Sequence, residues 1–92
     1  MLTIIIKLHY LPSGKLSSIG EKDYVNLPNT SKAFTDSGIQ PVVGDSIEAI
    51  KLATYDRDIF EGDEFPPKFL KVTYREVNFH DHIITVYTEA KK

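Results

Sequence analysis

His80 and His82, separated by one aspartate, are the residues whose type and spacing most directly suggest chemistry. Side chains two residues apart on a strand point to the same face, so this pair can offer two imidazoles to one metal ion. A complete site needs a third or fourth ligand, and His9 is the only other histidine. The pair also falls in a polar step typical of a turn. We therefore predict no metal site, and keep a metal-dependent or hydrolytic protein using His80 and His82 as the alternative hypothesis.

The second candidate is the acidic segment 56–67, in which five carboxylates are set against one arginine. Apolar side chains interrupt the acids, and anchors within a charged rim are typical of recognition surfaces. The segment does not match a calcium loop, because its glycine is seventh from Asp56 rather than sixth, and Pro67 stands where the bidentate glutamate belongs. An inward-facing Phe60 or Phe65 that pins the segment to the core is the structural alternative. The predicted partner-binding residues are Asp56, Asp58, Ile59, Phe60, Glu61, Asp63, Glu64 and Phe65.

Other catalytic frameworks are missing from the sequence. There is no cysteine, which excludes disulfides, thiolate metal sites and cysteine nucleophiles. The five glycines are scattered singly, so no glycine-rich loop can cradle a phosphate, and no Gly-x-Ser-x-Gly elbow presents a serine. Asp63 and Glu64 are adjacent, which points their carboxylates in different directions. We predict that the protein is not an enzyme and binds no cofactor.

Length and charge narrow the class of partner. The 92 residues are predicted to form one domain, residues 1–92. Eleven basic and thirteen acidic residues give a net charge of −2, whereas non-specific nucleic-acid binding needs a basic stripe that displaces counterions. The longest apolar run, Ile4–Ile6, is far short of the ~20 residues of a membrane span. We expect no nucleic-acid partner, no membrane partner, no signal peptide and a cytoplasmic location.

The stretch Phe69–Glu89 must position both candidate sites, since it follows the acidic segment and contains the histidines. Alternation with a period of two predicts a strand on either side of the polar step Asn78–His82, and therefore a β-hairpin. On one face of the first strand lie Leu70, Val72 and Tyr74, and on the other lie Lys71, Thr73 and Arg75. This places Tyr74 in the core, away from the basic side chains, so stacking on bases is not expected.

The same period of two predicts the secondary structure of the remaining segments. Strand patterns occupy Leu2–Tyr10, Leu16–Ile19, Tyr24–Leu27 and Glu48–Thr54. In the first of them the even positions are apolar and Ile5 is an apolar residue on the polar face, which is compatible with an interface between copies. Residues 45–54 also fit a short helix, because Asp45 and Glu48 have the spacing of a capping box. We choose the strand since the surroundings are rich in β signals, and allow one helical turn at Ser31–Phe34.

These patterns predict a mainly β fold, a small antiparallel β-barrel or half-closed sandwich of five or six strands with at most one short helix. The predicted function is that of a non-catalytic protein–protein interaction module, which acts as an adaptor, inhibitor or assembly subunit. Its partner is another protein, bound through the segment 56–67. Self-association into a homo-oligomer is a further prediction, which the position of Ile5 motivates.

Overall fold

The computed structural model describes residues 3–11, 24–56 and 67–91, and the structural statements that follow concern these residues. Within these described residues, five strands and two helices follow one another. They are β1 (Ile5–Leu11), β2 (Val25–Asn26), α1 (Pro28–Ser37), β3 (Ser46–Glu48), α2 (Ala49–Tyr55), β4 (Phe69–Asn78) and β5 (Ile83–Lys91). The prediction of a mainly β fold is confirmed. The predicted strand Leu16–Ile19 lies outside the described residues.

All five strands form one mixed sheet in the order β2-β1-β5-β4-β3. The strands β1 and β5 run parallel at its centre, and the other three neighbouring pairs are antiparallel. The predicted barrel is not confirmed, because the sheet is open, with β2 and β3 as its two edges. A parallel pair cannot be joined by a tight turn. The chain between β1 and β5 therefore contains both helices and the remaining strands.

One face of the sheet carries the hydrophobic core. The even-numbered residues of β1 are buried as predicted, with Ile6, Leu8 and Tyr10 at most 2% exposed. The helices and the segment before α1 add further apolar side chains to the same cluster. Its other members are Leu27, Ala49, Leu52, Leu70, Val72, Ile84 and Val86. The opposite face, which we call the open face, carries the odd-numbered residues of β1 and β5.

A bulge in β4 changes which residues reach the core. Val72 is paired with Thr88, but the next pair is Tyr74 with Tyr87, so Thr73 is an extra residue in β4. One extra residue reverses the alternation of all residues that follow it. Tyr74 therefore lies on the open face and is 55% exposed, whereas Val72 is fully buried. The prediction that Tyr74 packs in the core is wrong for this reason.

Residues 45–54 are also different from the predicted strand. Only Ser46–Glu48 pairs with β4, and helix α2 begins directly at Ala49. Ala49 and Leu52, three residues apart on one helix face, are buried in the core, whereas Ile50 is 77% exposed. The prediction of at most one short helix is wrong as well, since α1 has ten residues and α2 has seven.

Helix α1 lies beside the outer edge of β1, which β2 covers only at His9 and Tyr10. The N–H of Leu8 donates to Ser31 Oγ at 2.7 Å, and the N–H of Ile6 donates to Thr35 Oγ1 at 2.9 Å. Hydroxyl groups of the helix thus replace the missing strand partner of β1. This satisfies buried N–H groups that would otherwise each cost roughly 1–3 kcal/mol.

Candidate interaction surface

The structure describes only one of the eight residues predicted to bind a partner, Asp56. Its carboxylate accepts the N–H groups of Asn29, at 3.4 Å, and Thr30, at 2.8 Å, and also the hydroxyl of Thr30. No side chain at the N-cap position of α1 makes a capping hydrogen bond, so Asp56 supplies the cap from the end of α2. The other seven residues lie outside the described residues, namely Asp58, Ile59, Phe60, Glu61, Asp63, Glu64 and Phe65.

Replacing Asp56 with alanine is expected to lower the free energy of unfolding by about 1 kcal/mol, because the first turn of α1 loses its capping carboxylate. Denaturant unfolding followed by circular dichroism measures the change. Asp36→Ala is the matched control, since Asp36 is exposed near the other end of the same helix. Equal stabilities of the two variants would contradict the capping role.

His80 and His82 lie in the turn between β4 and β5, and both are exposed. The turn is closed by Asn78, whose Oδ1 accepts the N–H of Asp81 at 3.0 Å and whose Nδ2 donates to Asp81 Oδ2 at 3.1 Å. His82 adopts a φ of 57°, and its carbonyl accepts the N–H of Ile5 at 2.9 Å. Among the described residues no group of three histidines or acids is placed to hold a metal ion. The predicted hairpin is confirmed, and both histidines belong to its turn.

The centre of the open face is an aromatic cluster of four residues, His9, Tyr24, Tyr74 and Tyr87. The ring of His9 stacks on that of Tyr87, with centroids 5.3 Å apart and planes inclined by 18°. Tyr24 meets Tyr87 edge to face at 4.9 Å, and Tyr74 approaches it at 5.6 Å. Such ring pairs each contribute roughly 0.5–1.5 kcal/mol beyond the area that they bury. Tyr87 therefore ties β5 to β1, to β4 and to the residue before β2.

Burial affects the pKa of two side chains at the middle of the aromatic cluster, His9 and Tyr87. Burial, and to a lesser degree the nearby Lys7 ammonium, lower the pKa of the His9 imidazole from its usual 6.5. Burial and the Glu76 carboxylate raise the pKa of the Tyr87 phenol above 10. Both shifts favour the uncharged form. The surroundings of His9 and Tyr87 therefore disfavour charge on the rings in the middle of the open face.

Charged side chains of both signs surround the aromatic cluster. Strand register places Lys71 and Glu89 opposite each other on the open face, together with Glu76 from β4 and Lys7 from β1. The register of β3 adds Glu48 to this face, so the charged side chains that the structure describes here are two cations and three anions. Because Tyr74 and Lys71 share this face, the sequence-based argument that aromatic and basic residues are separated does not hold. The described side chains of this face carry no excess of positive charge, which still disfavours a nucleic-acid partner.

Sequence reasoning missed the aromatic cluster because its members come from four separate segments of the chain. His9 and Tyr87 are brought side by side by the parallel pairing of β1 and β5, and Tyr74 joins them only because of the bulge. Alternation does place His9 on the polar face of its strand. That odd position in β1 was one available signal, and the odd position of Tyr87, after the apolar Ile84 and Val86, was a second.

Comparison with protein-family models, with curated proteins and with solved structures finds no match to this chain. Neither described helix has the length and apolar run that a bilayer-spanning helix requires. The function must therefore be argued from the chain's own surface.

Proposed function

We propose that the protein is a non-catalytic interaction module that binds another protein through the open face, as an adaptor, inhibitor or assembly subunit. The observation that carries this proposal is the aromatic cluster on the sheet face opposite the core. Tyrosine supplies a large, rigid contact area with a polar tip, and it is enriched at the centres of protein interfaces. Buried functional clefts with convergent polar groups, by contrast, are the sites expected of enzymes.

The composition of the open face supports a protein partner over other macromolecules. An aromatic centre within a rim of Lys7, Lys71, Glu76 and Glu89 has the core-and-rim organisation of protein interfaces. A single-stranded nucleic acid also stacks on aromatic rings, but it requires a positively charged groove along its backbone. The side chains that the structure describes on this face have no excess of positive charge, so they provide no such groove. The segment 57–66 stays a prediction for additional contacts with the same partner.

Tyr74 offers the sharpest test, because it is the most exposed ring of the aromatic cluster. A photo-crosslinking amino acid at position 74 in the full chain identifies proteins from the native host that touch the open face. The captured protein is then purified and its affinity is measured for the unmodified chain and for two variants. These are Tyr74→Arg, which puts a charge at the centre of the face, and Ile50→Arg, which alters an even more exposed apolar residue on α2.

The expected result is a loss of at least about tenfold in affinity for Tyr74→Arg, because an unpaired charge at an interface centre costs more than 1.4 kcal/mol. Ile50→Arg is expected to bind like the unmodified chain. Equal binding by both variants would refute the open face as the binding site. Capture of an oligonucleotide instead of a protein would overturn the choice of partner.

A further inference from the structure

A groove of about 450 Å³ runs between β1 and α1, next to the aromatic cluster. It exists because β1 has seven residues and β2 pairs with only two of them. The residues of β1 that precede His9 therefore border the helix instead of a neighbouring strand. The groove is lined by Ile5, Ile6, Lys7, His9, Asn26, Pro28, Ser31, Lys32 and Thr35.

The backbone groups along the groove are already bonded. Ser31 Oγ accepts the N–H of Leu8 and donates to the carbonyl of Leu27 at 2.6 Å. Thr35 Oγ1 accepts the N–H of Ile6 and donates to the carbonyl of Ser31 at 2.9 Å. An additional β-strand, from a partner or from a second copy, would have to break these bonds before it could pair with β1 here. The occupant of the groove must therefore be held by its side chains.

Among the residues that the structure describes, the charges that line the groove have one sign. Lys7 and Lys32 bring two ammonium groups, and none of the lining residues carries a carboxylate. Both lysines are exposed at its rim, while the half-exposed Ile5 and the exposed Pro28 offer an apolar surface between them. This local positive charge contrasts with the net charge of −2 of the whole chain. Complementarity of charge selects an anionic occupant that also carries an apolar group.

We propose that this groove binds an acidic peptide segment of the partner protein, with carboxylates against Lys7 and Lys32 and an apolar side chain against Ile5 and Pro28. The inference rests on the proposed function, since Lys7 and His9 belong to both the groove and the open face. An extended peptide advances about 3.3 Å per residue, so the stretch of β1 from Ile5 to Leu8 accommodates about four residues. The groove adds selectivity for charge to the affinity that the aromatic cluster provides.

The test uses a defined probe and the full chain. A fluorescein-labelled peptide of eight residues that alternates glutamate with leucine is titrated with the protein, and fluorescence anisotropy reports binding. The same peptide with glutamine in place of glutamate is the control ligand. Lys32→Glu is the groove variant, and Lys68→Glu is its matched control because Lys68 is exposed beside β4, at the other side of the sheet.

We expect the glutamate peptide to bind the unmodified chain and the Lys68 variant alike, and to lose about tenfold in affinity for Lys32→Glu. Addition of salt should weaken the binding, since exposed ion pairs are screened. Absence of binding, equal binding of the glutamine peptide, or an unchanged affinity of Lys32→Glu would each overturn the groove proposal. Competition by millimolar inorganic phosphate alone would also overturn it, because it would show a simple anion site.

The experiments distinguish failure of the groove proposal from failure of the proposed binding at the open face. If the crosslinked partner no longer binds Tyr74→Arg but binds Lys32→Glu with full affinity, the groove proposal is refuted and the proposed function stands. If the partner binds both variants with full affinity, the proposed function falls as well. Circular dichroism of every variant excludes loss of folding as the cause.

Discussion

Replacing Tyr87 with alanine is expected to lower the free energy of unfolding by roughly 2–3 kcal/mol. The Tyr87 ring contacts His9, Tyr24 and Tyr74, so one truncation removes three ring contacts at once. It also removes the bridge across the parallel pair of β1 and β5, which holds the first strand to the last. The same variant should bind the partner of the open face at least about tenfold more weakly, because the remaining rings lose their common support.

Denaturant unfolding monitored by circular dichroism measures the effect on stability. Tyr87→Phe keeps the ring and its stacking partners, so it should remain within about 1 kcal/mol of the unmodified chain. Phe79→Ala is the second control, since the Phe79 ring is 88% exposed in the hairpin turn and contributes little to the fold. An equal loss of stability in Phe79→Ala and Tyr87→Ala would show that the aromatic cluster has no special role.

The parts of the fold that could be predicted from the sequence are those determined by neighbours along the chain. The even-numbered residues of β1 are all apolar and alternate with the polar Lys7 and His9, and the structure buries them. The hairpin of β4 and β5 was predictable because Asn78–His82 is a polar step between two apolar, β-branched runs. In both cases a local pattern and the final packing require the same conformation.

The parts that could not be predicted depend on residues distant in the sequence. The parallel pairing of β1 with β5 joins the two ends of the chain and leaves the sheet open, and no local pattern distinguishes it from barrel closure. Helix α1 has few apolar positions, so its sequence predicts one turn rather than ten residues. Its stability comes from outside the helix, since Asp56 caps its first turn and its hydroxyls bond to β1.

The candidate site could not be predicted from the sequence for a similar reason. The sequence directs attention to the acidic segment, and its one described member, Asp56, caps a helix. The aromatic cluster depends on Thr73, an extra residue whose presence in the ladder can be recognised only when the register of both strands is known. A threonine is an ordinary strand residue, so nothing at position 73 signals a bulge. The correct face of Tyr74 follows only from the strand pairing.

The bulge places Val72 and Tyr74 in opposite environments. We therefore expect the same substitution to change stability very differently at the two positions. Regular alternation would bury both side chains, whereas the observed register buries Val72 and exposes Tyr74. Val72→Asp places an unpaired carboxylate in the apolar core, and it should cost more than about 4 kcal/mol. For a chain of this size that is a large fraction of the roughly 5–14 kcal/mol of stability, so the unfolding temperature should fall strongly.

Tyr74→Asp is the matched control, with the same introduced group two positions further along β4. Its carboxylate points from the open face into water, so we expect a loss of no more than about 1 kcal/mol, chiefly from the missing contact with Tyr87. Thermal unfolding and the dispersion of amide proton resonances measure both variants. If the two aspartates are equally damaging, Tyr74 is a core residue, the bulge is absent in solution, and the aromatic cluster does not form. The contrast between the two positions therefore tests the fold and the proposed interaction surface together.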